Sequence, residues 1–327
     1  MKKSQCIVDI GTNNIAFVSD MGVFIEPNIA IVSRFPKISL VAAGKEAKKA
    51  MIKLKQEETV IYPVVDGAVI NVEVLALMLK HFFSIYAPPR LFQQMEIYVP
   101  VPCGLSIVER ENIEAAVIKA GYKDVTLFES MVTLLPHLPK LPVAVVIIGA
   151  GNTEIGVLDK NGIVAGCSVN IAGNLINSKI KEQLLEQQNF MISWAMAEDI
   201  KNNIGSLHEN DYSGMEIIGK DILENKMKKI DITASNIRTS IHFCFKKIAE
   251  IIESVLTTLP NNMLDEVTKN GIYIAGGGSK INGLTNFFSN YLKLPIYTID
   301  NPEYAEVFGL SKMLVEPKYK KFFANTR

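Results

Sequence analysis

The sequence predicts an α/β protein made of two related domains, and three observations lead to this prediction. The chain has 327 residues, which is about the length of two average domains. One strand–turn–strand pattern occurs twice, near the start and near the middle of the chain. A third glycine-rich turn follows a strand late in the chain, within 271–279. A duplicated α/β domain that folds around a central cleft explains this layout.

The repeated pattern is a buried strand, a tight polar turn and a second strand. It spans residues 6–18 in the first copy and 144–158 in the second, with 8–11 aligned on 146–149. Glycine and other small residues in a turn allow backbone N–H groups to converge on one point, which suits a phosphate group. An ordinary β-hairpin uses the same residues, but two copies in matching contexts favour phosphate binding.

The third turn adds a further backbone site for a nucleotide. A strand at 271–275 runs through the turn 276–279 into a helix that opens within 280–284. Backbone N–H groups at a helix start can bind a nucleotide. The turn is not a Walker A loop, because no Gly-Lys-Ser or Gly-Lys-Thr ends it. It is not a Rossmann fingerprint either, because it comes late and no βαβ unit follows it.

The composition excludes several classes of protein. Apolar residues make up 48% of the chain, which is enough to form two cores and argues against disorder. Lys+Arg and Asp+Glu both total 34, so the net charge does not indicate electrostatic binding to nucleic acid. No apolar run approaches the roughly 18 residues of a spanning helix, and the start does not resemble a signal peptide. The four cysteines lack metal-binding spacing, so we expect a cytoplasmic protein with reduced thiols.

These segments, in this order, resemble the bacterial actins of the MreB family, within the superfamily that unites actin, heat-shock chaperones and hexokinase. The three turns are similar to the family's first phosphate loop, second phosphate loop and adenosine loop. Residues 61–70 and 301–309 resemble its two connecting segments, and three further stretches match at 99–110, 171–173 and 198–205. The ordered set covers nearly the whole chain.

The resemblance implies an α/β, actin-like ATPase fold. Two duplicated, ribonuclease H-like α/β domains would surround a nucleotide cleft, and each domain would have two subdomains. Domain I would comprise residues 1–141, with subdomain IB inserted at 32–65 and the tail 312–327 returning to subdomain IA. Domain II would comprise residues 142–311, with subdomain IIB at 181–244.

The resemblance also implies ATP or ADP with Mg²⁺ as the ligand. The positions that match the phosphate loops are Gly11, Thr12, Asn13, Asn14, Gly149, Ala150, Gly151 and Asn152. The positions that match the rest of the nucleotide site are Glu198, Asp199, Ile200, Lys201, Gly276, Gly277, Gly278 and Ser279. Glu198 and Lys201 would reach the ribose and base, although an exposed charge pair on a helix has the same spacing.

The chain departs from the family pattern at the catalytic groups. The family's second phosphate loop starts with an Asp that helps to hold magnesium, whereas Ile147 stands there and offers no oxygen. Asp9 in the first hairpin remains as the metal-side acid. The family also has a Glu that positions the attacking water. An ungapped alignment puts Ser130 at this position, and a one-residue slip puts Glu129 there.

These departures predict ATP binding with very slow hydrolysis, because losing a general base typically costs about 10²–10⁴ in rate. Asp9 and Glu129 remain as the candidate catalytic acids. The alternative is that other oxygens take over and the activity is ordinary. The chain is at most a weak ATPase by this interpretation.

Leu91 and Phe92 form a candidate membrane contact. They follow Pro88, Pro89 and Arg90, and the family places two large apolar residues in a similar loop. Exposed at a loop tip, they would insert shallowly into a bilayer. Alternatively, they begin the following strand and are buried.

Three functions remain open at this point. The first is a cytoskeletal filament protein of cell shape, which assembles with itself and with paralogous bacterial actins at the inner face of the cell membrane. The second is an actin-fold adaptor that binds ATP and recruits a membrane machine without polymerising. The third is a small-molecule kinase, but a kinase should retain the acids that Ile147 and Ser130 replace.

Overall fold

The computed structural model describes residues 4–88 and 94–323, which divide into two compact units. The first unit consists of Met1–Pro139 with Tyr304–Arg327, and the second consists of Lys140–Glu303. The chain returns to the first unit at Tyr304, earlier than the expected return at 312. The reason is that the helix Ala305–Val315 packs against strands and a helix of the first unit.

The secondary structure alternates strands and helices, as expected for an α/β protein. The strands are β1 (Ser4–Ile10), β2 (Asn14–Ser19), β3 (Gly22–Pro27), β4 (Ala30–Ser33), β5 (Ser39–Ala43), β6 (Glu58–Ile61), β7 (Val64–Val65), β8 (Ala68–Val69), β9 (Met95–Val101), β10 (Asp124–Glu129), β11 (Val143–Ile148), β12 (Thr153–Asp159), β13 (Gly162–Val169), β14 (Phe190–Met191), β15 (Gly214–Asp221), β16 (Lys226–Thr233), β17 (Ile272–Ala275) and β18 (Ile296–Thr298). The helices are α1 (Gly44–Ala50), α2 (Val72–Tyr86), α3 (Ile107–Lys119), α4 (Ser130–Thr133), α5 (Gly173–Gln188), α6 (Trp194–Ile204), α7 (Ala234–Thr257), α8 (Asn261–Asn270), α9 (Leu284–Leu292), α10 (Ala305–Val315) and α11 (Lys320–Phe323).

The first unit is built on a five-stranded sheet in the order β10-β9-β1-β2-β3. Strands β1, β2 and β3 are antiparallel neighbours joined by tight turns, whereas β1, β9 and β10 are parallel. Side chains alternate between the two faces of each strand. Val8 therefore joins the core, together with Phe17 and Phe83, whose rings meet edge to face.

The second unit repeats this topology in the order β13-β12-β11-β17-β18. Strands β11, β12 and β13 are antiparallel, and β11, β17 and β18 are parallel. Both sheets therefore consist of an antiparallel meander followed by two parallel strands at the side of its first strand. The predicted duplication of one α/β domain is confirmed.

Each unit also contains a smaller three-stranded sheet. In the first unit it has the order β5-β4-β6 and packs with α1, and in the second it has the order β14-β15-β16 and packs with α6. These sheets lie in the segments where insertions IB and IIB are expected.

Helix α7 supplies the longest apolar face of the second unit. Its buried side chains follow helical spacing and include Ile237, Ile241, Phe245 and Ile248. This face belongs to the main core with the sheet strands β11 and β12, as its pattern predicts.

Candidate functional site

The first phosphate-loop candidate is the turn between β1 and β2. Gly11 N–H donates to the carbonyl of Asn14 at 3.0 Å and closes the turn. Asn28 holds the turn from outside, because its side-chain Nδ2 donates to Gly11 O at 2.7 Å and its backbone N–H donates to Asn13 O at 2.8 Å. The Thr12 hydroxyl accepts a hydrogen bond from Gly67 N–H at 2.9 Å. The turn is therefore fixed by three groups outside itself.

These bonds determine where the N–H groups of the first loop point. In a trans peptide, the carbonyl of one residue and the N–H of the next point in opposite directions. Since the carbonyl of Gly11 points at the Asn28 amide, the N–H of Thr12 points away from it. An N–H group oriented in this way is suited to an anion.

The second phosphate-loop candidate, between β11 and β12, closes in the same way. Gly149 N–H donates to Asn152 O at 2.9 Å. Its carbonyls are held by the start of helix α5, where Gly173 N–H donates to Gly149 O at 3.1 Å and Asn174 N–H donates to Ala150 O at 2.7 Å. The first N–H groups of a helix have no hydrogen-bond partner within the helix. The carbonyls of this loop supply partners for the first two N–H groups of α5.

The same peptide geometry orients the second loop. Because the carbonyls of Gly149 and Ala150 point at α5, the N–H groups of Ala150 and Gly151 point away from that helix. The Asn152 side chain is partly used within the sheet, since its Nδ2 donates to Ser168 Oγ at 3.1 Å. Both loops therefore offer backbone N–H groups and little side-chain bulk.

The adenosine-loop candidate packs against the end of β11. Gly276 N–H donates to Pro302 O at 2.7 Å, and the Ser279 hydroxyl donates to Gly276 O at 2.7 Å. A Cβ atom at Gly276 or Gly278 would overlap Ile148, so the close approach to β11 requires glycine at both positions.

The helix expected to open within 280–284 begins only at Leu284. A short 3₁₀ turn, Gly277–Lys280, comes first. Gly283 then precedes the helix with a φ of +81°, in the left-handed region that glycine adopts readily. The exposed backbone of Gly277 therefore belongs to the 3₁₀ turn and not to a helix start.

Helix α6 places its four candidate residues in different surroundings. Lys201 is 9% exposed, and its Nζ donates to the carbonyl of Gly173 at 3.3 Å. Burial lowers the pKa of Lys201, an effect that Glu198 opposes. Asp199 is exposed, whereas Ile200 lies fully buried in the core. The side chain of Ile200 therefore belongs to the core, and Lys201 is not part of an exposed charge pair. The assignment of these residues to a nucleotide stays a prediction.

Asp9 lies near the end of β1, on the face opposite the core that contains Val8. Burial raises the pKa of its carboxyl group from 3.8 to about 6. A carboxylate that has lost water in this way is stabilised by a nearby cation.

The expected catalytic positions hold a serine and a glutamate that is ion-paired through one oxygen. Ser130 is 1% exposed at the start of α4, and its carbonyl accepts the hydroxyl hydrogen of Thr133 at 2.6 Å. Glu129 ends β10, where its Oε1 forms an ion pair with Arg110 of α3. Its other carboxylate oxygen, Oε2, is buried and has no hydrogen-bond partner among the described residues.

The donor set fits a hydrated magnesium ion carried by a nucleotide. Among residues 4–88 and 94–323, no group of three or more His, Cys, Asp or Glu side chains could hold a metal ion by itself. Magnesium bound to phosphate oxygens and water requires only one or two protein carboxylates. Asp9, near the end of β1 and next to the first phosphate-loop candidate, would supply one such carboxylate in the first unit.

Asp9→Asn is expected to stabilise the ligand-free protein above about pH 6. The folded state holds the ionised form poorly, so the contribution of Asp9 to stability falls as the pH rises from about 4 to about 6. Asparagine removes this cost, and the free energy of unfolding should rise by about 1–3 kcal/mol at pH 7.5. Urea denaturation at pH 7.5 and pH 4 measures the difference, which should vanish at the lower pH.

The exposed Asp231 provides the matched control. Asp231→Asn should change stability at neither pH by more than about 0.5 kcal/mol. A destabilised Asp9→Asn at pH 7.5 would contradict the desolvation of Asp9.

Comparison with known proteins identifies the family. A model of the MreB/Mbl protein family matches residues 3–321. The chain belongs to the MreB/Mbl family. The cell shape-determining protein Mbl of Bacillus subtilis is 25% identical over 320 residues, covering 94% of each chain. The cell shape-determining protein MreB of Escherichia coli K12 is 26% identical over 315 residues, covering 92% of this chain and 90% of that protein.

Solved structures of bacterial actins share the fold. MreB 5 of Spiroplasma citri bound to AMPPNP superposes with a TM-score of 0.89 at 25% identity, covering 99% of both chains. The MamK double helical filament superposes with a TM-score of 0.82 at 19% identity, covering 96% of this chain and 99% of that one, which shows a common fold. The predicted actin-like ATPase fold is confirmed.

Several positioning residues of this bacterial actin have no clear signal in the sequence. Asn28 clamps the first loop from 17 positions away, and Asn174 and Pro302 bind the other two loops through their backbones. An Asn after Pro27 is typical of any turn. The match at 171–173 points to the neighbourhood of Asn174 but not to its bond with Ala150.

Proposed function

We propose that this MreB/Mbl-family protein binds ATP and assembles into cytoskeletal filaments that take part in cell shape. The observation that carries the proposal is the shared geometry of the two phosphate loops. In each loop the carbonyls are tied back by neighbouring groups, so the N–H groups of Thr12, Ala150 and Gly151 point away from those groups. Backbone N–H groups that point outward from a tight turn, without bulky side chains, are a recurring way to bind phosphate.

Relatives support the choice of ligand and the assembly. The Spiroplasma citri MreB structures contain AMPPNP in one case and ADP in the other. MamK is described as a double helical filament. For this chain, ATP or ADP binding and self-association follow as the proposed properties, with Asp9 as the carboxylate for Mg²⁺ in the first unit.

Hydrolysis is proposed to be very slow. Magnesium bound with ATP would shield the charge that develops on the phosphate oxygens, and the loop N–H groups would orient those oxygens. Activation of the attacking water requires a positioned base, however. Ser130 is a neutral hydroxyl, and Glu129 is engaged by Arg110. The site therefore supports binding better than turnover.

Assembly is expected to depend on ATP. Sedimentation with ATP or a non-hydrolysable analogue should pellet most of the protein at tens of micromolar, roughly the range in which weak contacts saturate. Electron microscopy of the pellet should show paired protofilaments, as the family membership suggests.

A protein that stays monomeric with ATP across salt and magnesium conditions would contradict the filament proposal. The actin-fold adaptor, which binds ATP without polymerising, would then explain the preserved phosphate loops. ATP affinity measured on the same sample separates this adaptor from a chain that binds no nucleotide.

We also propose a peripheral location at the inner face of the cell membrane, in contact with paralogous bacterial actins. No helix in the described ranges is both long and apolar enough to cross a bilayer. The candidate contact residues Leu91 and Phe92 lie outside the described residues. The resemblance of the segment 88–92 to the family's membrane loop supports the proposal.

Leu91→Ser with Phe92→Ser is expected to reduce pelleting with anionic liposomes. Each large apolar side chain contributes about 1.5–3 kcal/mol when it leaves water. Ile107→Ser is the control, because Ile107 is 77% exposed on α3 of the same unit. Equal pelleting of the double variant, the control and the unmodified protein would exclude residues 91 and 92 as a membrane contact.

A further inference from the structure

The second unit contains a cavity of about 770 Å³ that is lined by α5, the start of α6 and the small sheet β14-β15-β16. Sites for small molecules typically measure about 300–1,000 Å³ and combine mainly apolar walls with a few polar groups. The apolar side chains of this cavity are Leu185, Met191, Ile192, Met196, Ile218 and Met227. Its size and lining therefore suit the apolar part of one small ligand.

The walls of the cavity follow from the sheet register and the helix periodicity. Lys220 of β15 lies opposite Met191 of β14 and opposite Met227 of β16. Directly opposed residues of antiparallel strands project together, so these three side chains form one row on one face of the sheet. The wall on α5 has helical spacing and consists of Ser178, Lys181, Glu182 and Leu185. The sheet and the helix thus each bring one lysine to the cavity.

The charged groups of the cavity suit an anion. Its one carboxylate, on Glu182, is neutralised from outside, because its Oε2 lies 2.6 Å from Nζ of Lys179. Within residues 4–88 and 94–323, neither Lys181 nor Lys220 has a carboxylate partner. Both lysines are half-buried, with apolar stems that can lie along the wall while the ammonium groups face an anionic head.

The apolar walls suit an alkyl chain better than a planar ring. Three of the six apolar side chains are methionines, whose unbranched thioethers adapt to irregular or variable neighbours. None of the described side chains that line the cavity is aromatic, so no ring is present on which a planar ligand would stack. A linear chain that can bend with the methionines fits such a lining.

We propose that this cavity binds a single-chain amphiphilic carboxylate, which is the chemistry of a fatty acid. The alkyl chain would lie against the methionines, and the carboxylate would pair with Lys181 and Lys220. A concave site within one unit encloses one chain, whereas a flat bilayer would contact only its rim. The inference goes beyond the proposed nucleotide binding and does not depend on it.

A chain-length series on the full-length protein tests the apolar part of the site. Trp194, the one tryptophan of the chain, reports binding through its fluorescence, because its ring centroid lies 5.7 Å from Nζ of Lys181. The ligands are hexanoate, octanoate, decanoate and dodecanoate, each below its micelle concentration. The affinity should rise about fourfold for each added methylene until the chain fills the cavity.

Two variants separate the anion from the chain. Lys181→Gln with Lys220→Gln should weaken dodecanoate binding about tenfold, the combined effect of two half-exposed ion pairs. This variant should leave the binding of dodecanol unchanged, because dodecanol has the same chain without the charge. Ile218→Ser should weaken the binding of both ligands about fivefold, because it removes part of the apolar wall.

The matched controls lie elsewhere in the same unit. Lys246→Gln removes an exposed lysine of α7, and Val164→Ser changes a residue of β13 that is 40% exposed, close to the 46% of Ile218. Both controls should bind dodecanoate and dodecanol as the unmodified protein does. Thermal melting confirms that each variant is folded, and the chain-length series needs no variant at all.

Several results would overturn the fatty acid site. An affinity that does not rise with chain length excludes the alkyl chain, and a folded double lysine variant with full dodecanoate affinity excludes the carboxylate contact. A protein that binds no dodecanoate also refutes the proposal. If Ile218→Ser then lowers pelleting with phosphatidylglycerol vesicles, the cavity contacts a bilayer. If it lowers sedimentation with ATP, the cavity contacts a second copy of the chain.

Discussion

A chain that carries both Ser130→Glu and Ile147→Asp is expected to release phosphate from ATP at least about 10²-fold faster than the unmodified chain. Glutamate at 130 would provide a base for the attacking water, and aspartate at 147 would provide an oxygen on the magnesium side. The double change should exceed either single change, because both groups serve one transition state and their effects are not additive. Steady-state phosphate release, measured beside nucleotide affinity, gives the result.

The matched control is Ser130→Gln with Ile147→Asn, whose side chains match glutamate and aspartate in size at these two buried positions but carry no charge. It should bind ATP and show no gain in rate. Thermal melting comes first, since an aspartate at 147 would face Glu154 across the ladder and repel it in the absence of a cation. Unmodified turnover equal to that of ordinary bacterial actins, or a folded double variant that binds ATP without faster release, would refute the assignment of Ser130 and Ile147.

Gly309→Ala is expected to destabilise the first unit by about 2–4 kcal/mol, mainly through overpacking. Gly309 lies within α10, and a Cβ atom there would overlap the carbonyl oxygen of Thr133 in α4. Alanine favours a helix by about 1 kcal/mol over glycine, but this gain is smaller than the cost of separating the two helices. Urea denaturation measures the loss.

Gly277→Ala provides the comparison, because a Cβ atom at Gly277 would meet no other atom within 4 Å. Its stability should change by less than about 0.5 kcal/mol. If Gly309→Ala proved as stable as Gly277→Ala, α10 would not be held against α4 by close contact. Any loss of nucleotide binding in Gly309→Ala would follow from movement of α4, which begins at Ser130.

The local parts of the fold could be predicted because they depend on short patterns. An apolar strand precedes Gly11 and another precedes Gly149. Each is followed directly by residues typical of a turn, so both hairpins can be found in the sequence. Once two copies are recognised, a common strand order is expected, and the sheets confirm it. The resemblance adds the actin-like arrangement that no local pattern contains.

The surroundings of individual site residues could not be predicted, because they depend on contacts between distant segments. The spacing of Glu198 and Lys201 suits an exposed pair, but the bond to Gly173 from 28 positions away buries the lysine. Ile200 occupies a position on the buried face of α6. A match to a sequence motif does not distinguish such a core position from a ligand-binding one. The pairing of Ile147 with Glu154 becomes visible only when the register of β11 and β12 is known.

The boundary between the units illustrates the same limit. The sequence places the return to the first unit at 312, within α10, because the match to the second connecting segment extends to 309. Packing decides otherwise, since Gly309 lets α10 lie directly against α4. The whole of α10 packs in the first unit, although the match to the connecting segment extends into the first half of this helix.

The two phosphate loops have the same shape but different anchors, and this difference has a mechanical consequence. The first loop is held by Asn28, which follows β3, and by the backbone of Gly67, which lies between β7 and β8. The second loop is held by the first N–H groups of α5, a helix of 16 residues that also packs against α6 and β14. Any shift of α5 along its axis pulls on the carbonyls of Gly149 and Ala150. A displacement of the small sheet β14-β15-β16 that carried α5 with it would therefore also displace the phosphate loop of its own unit.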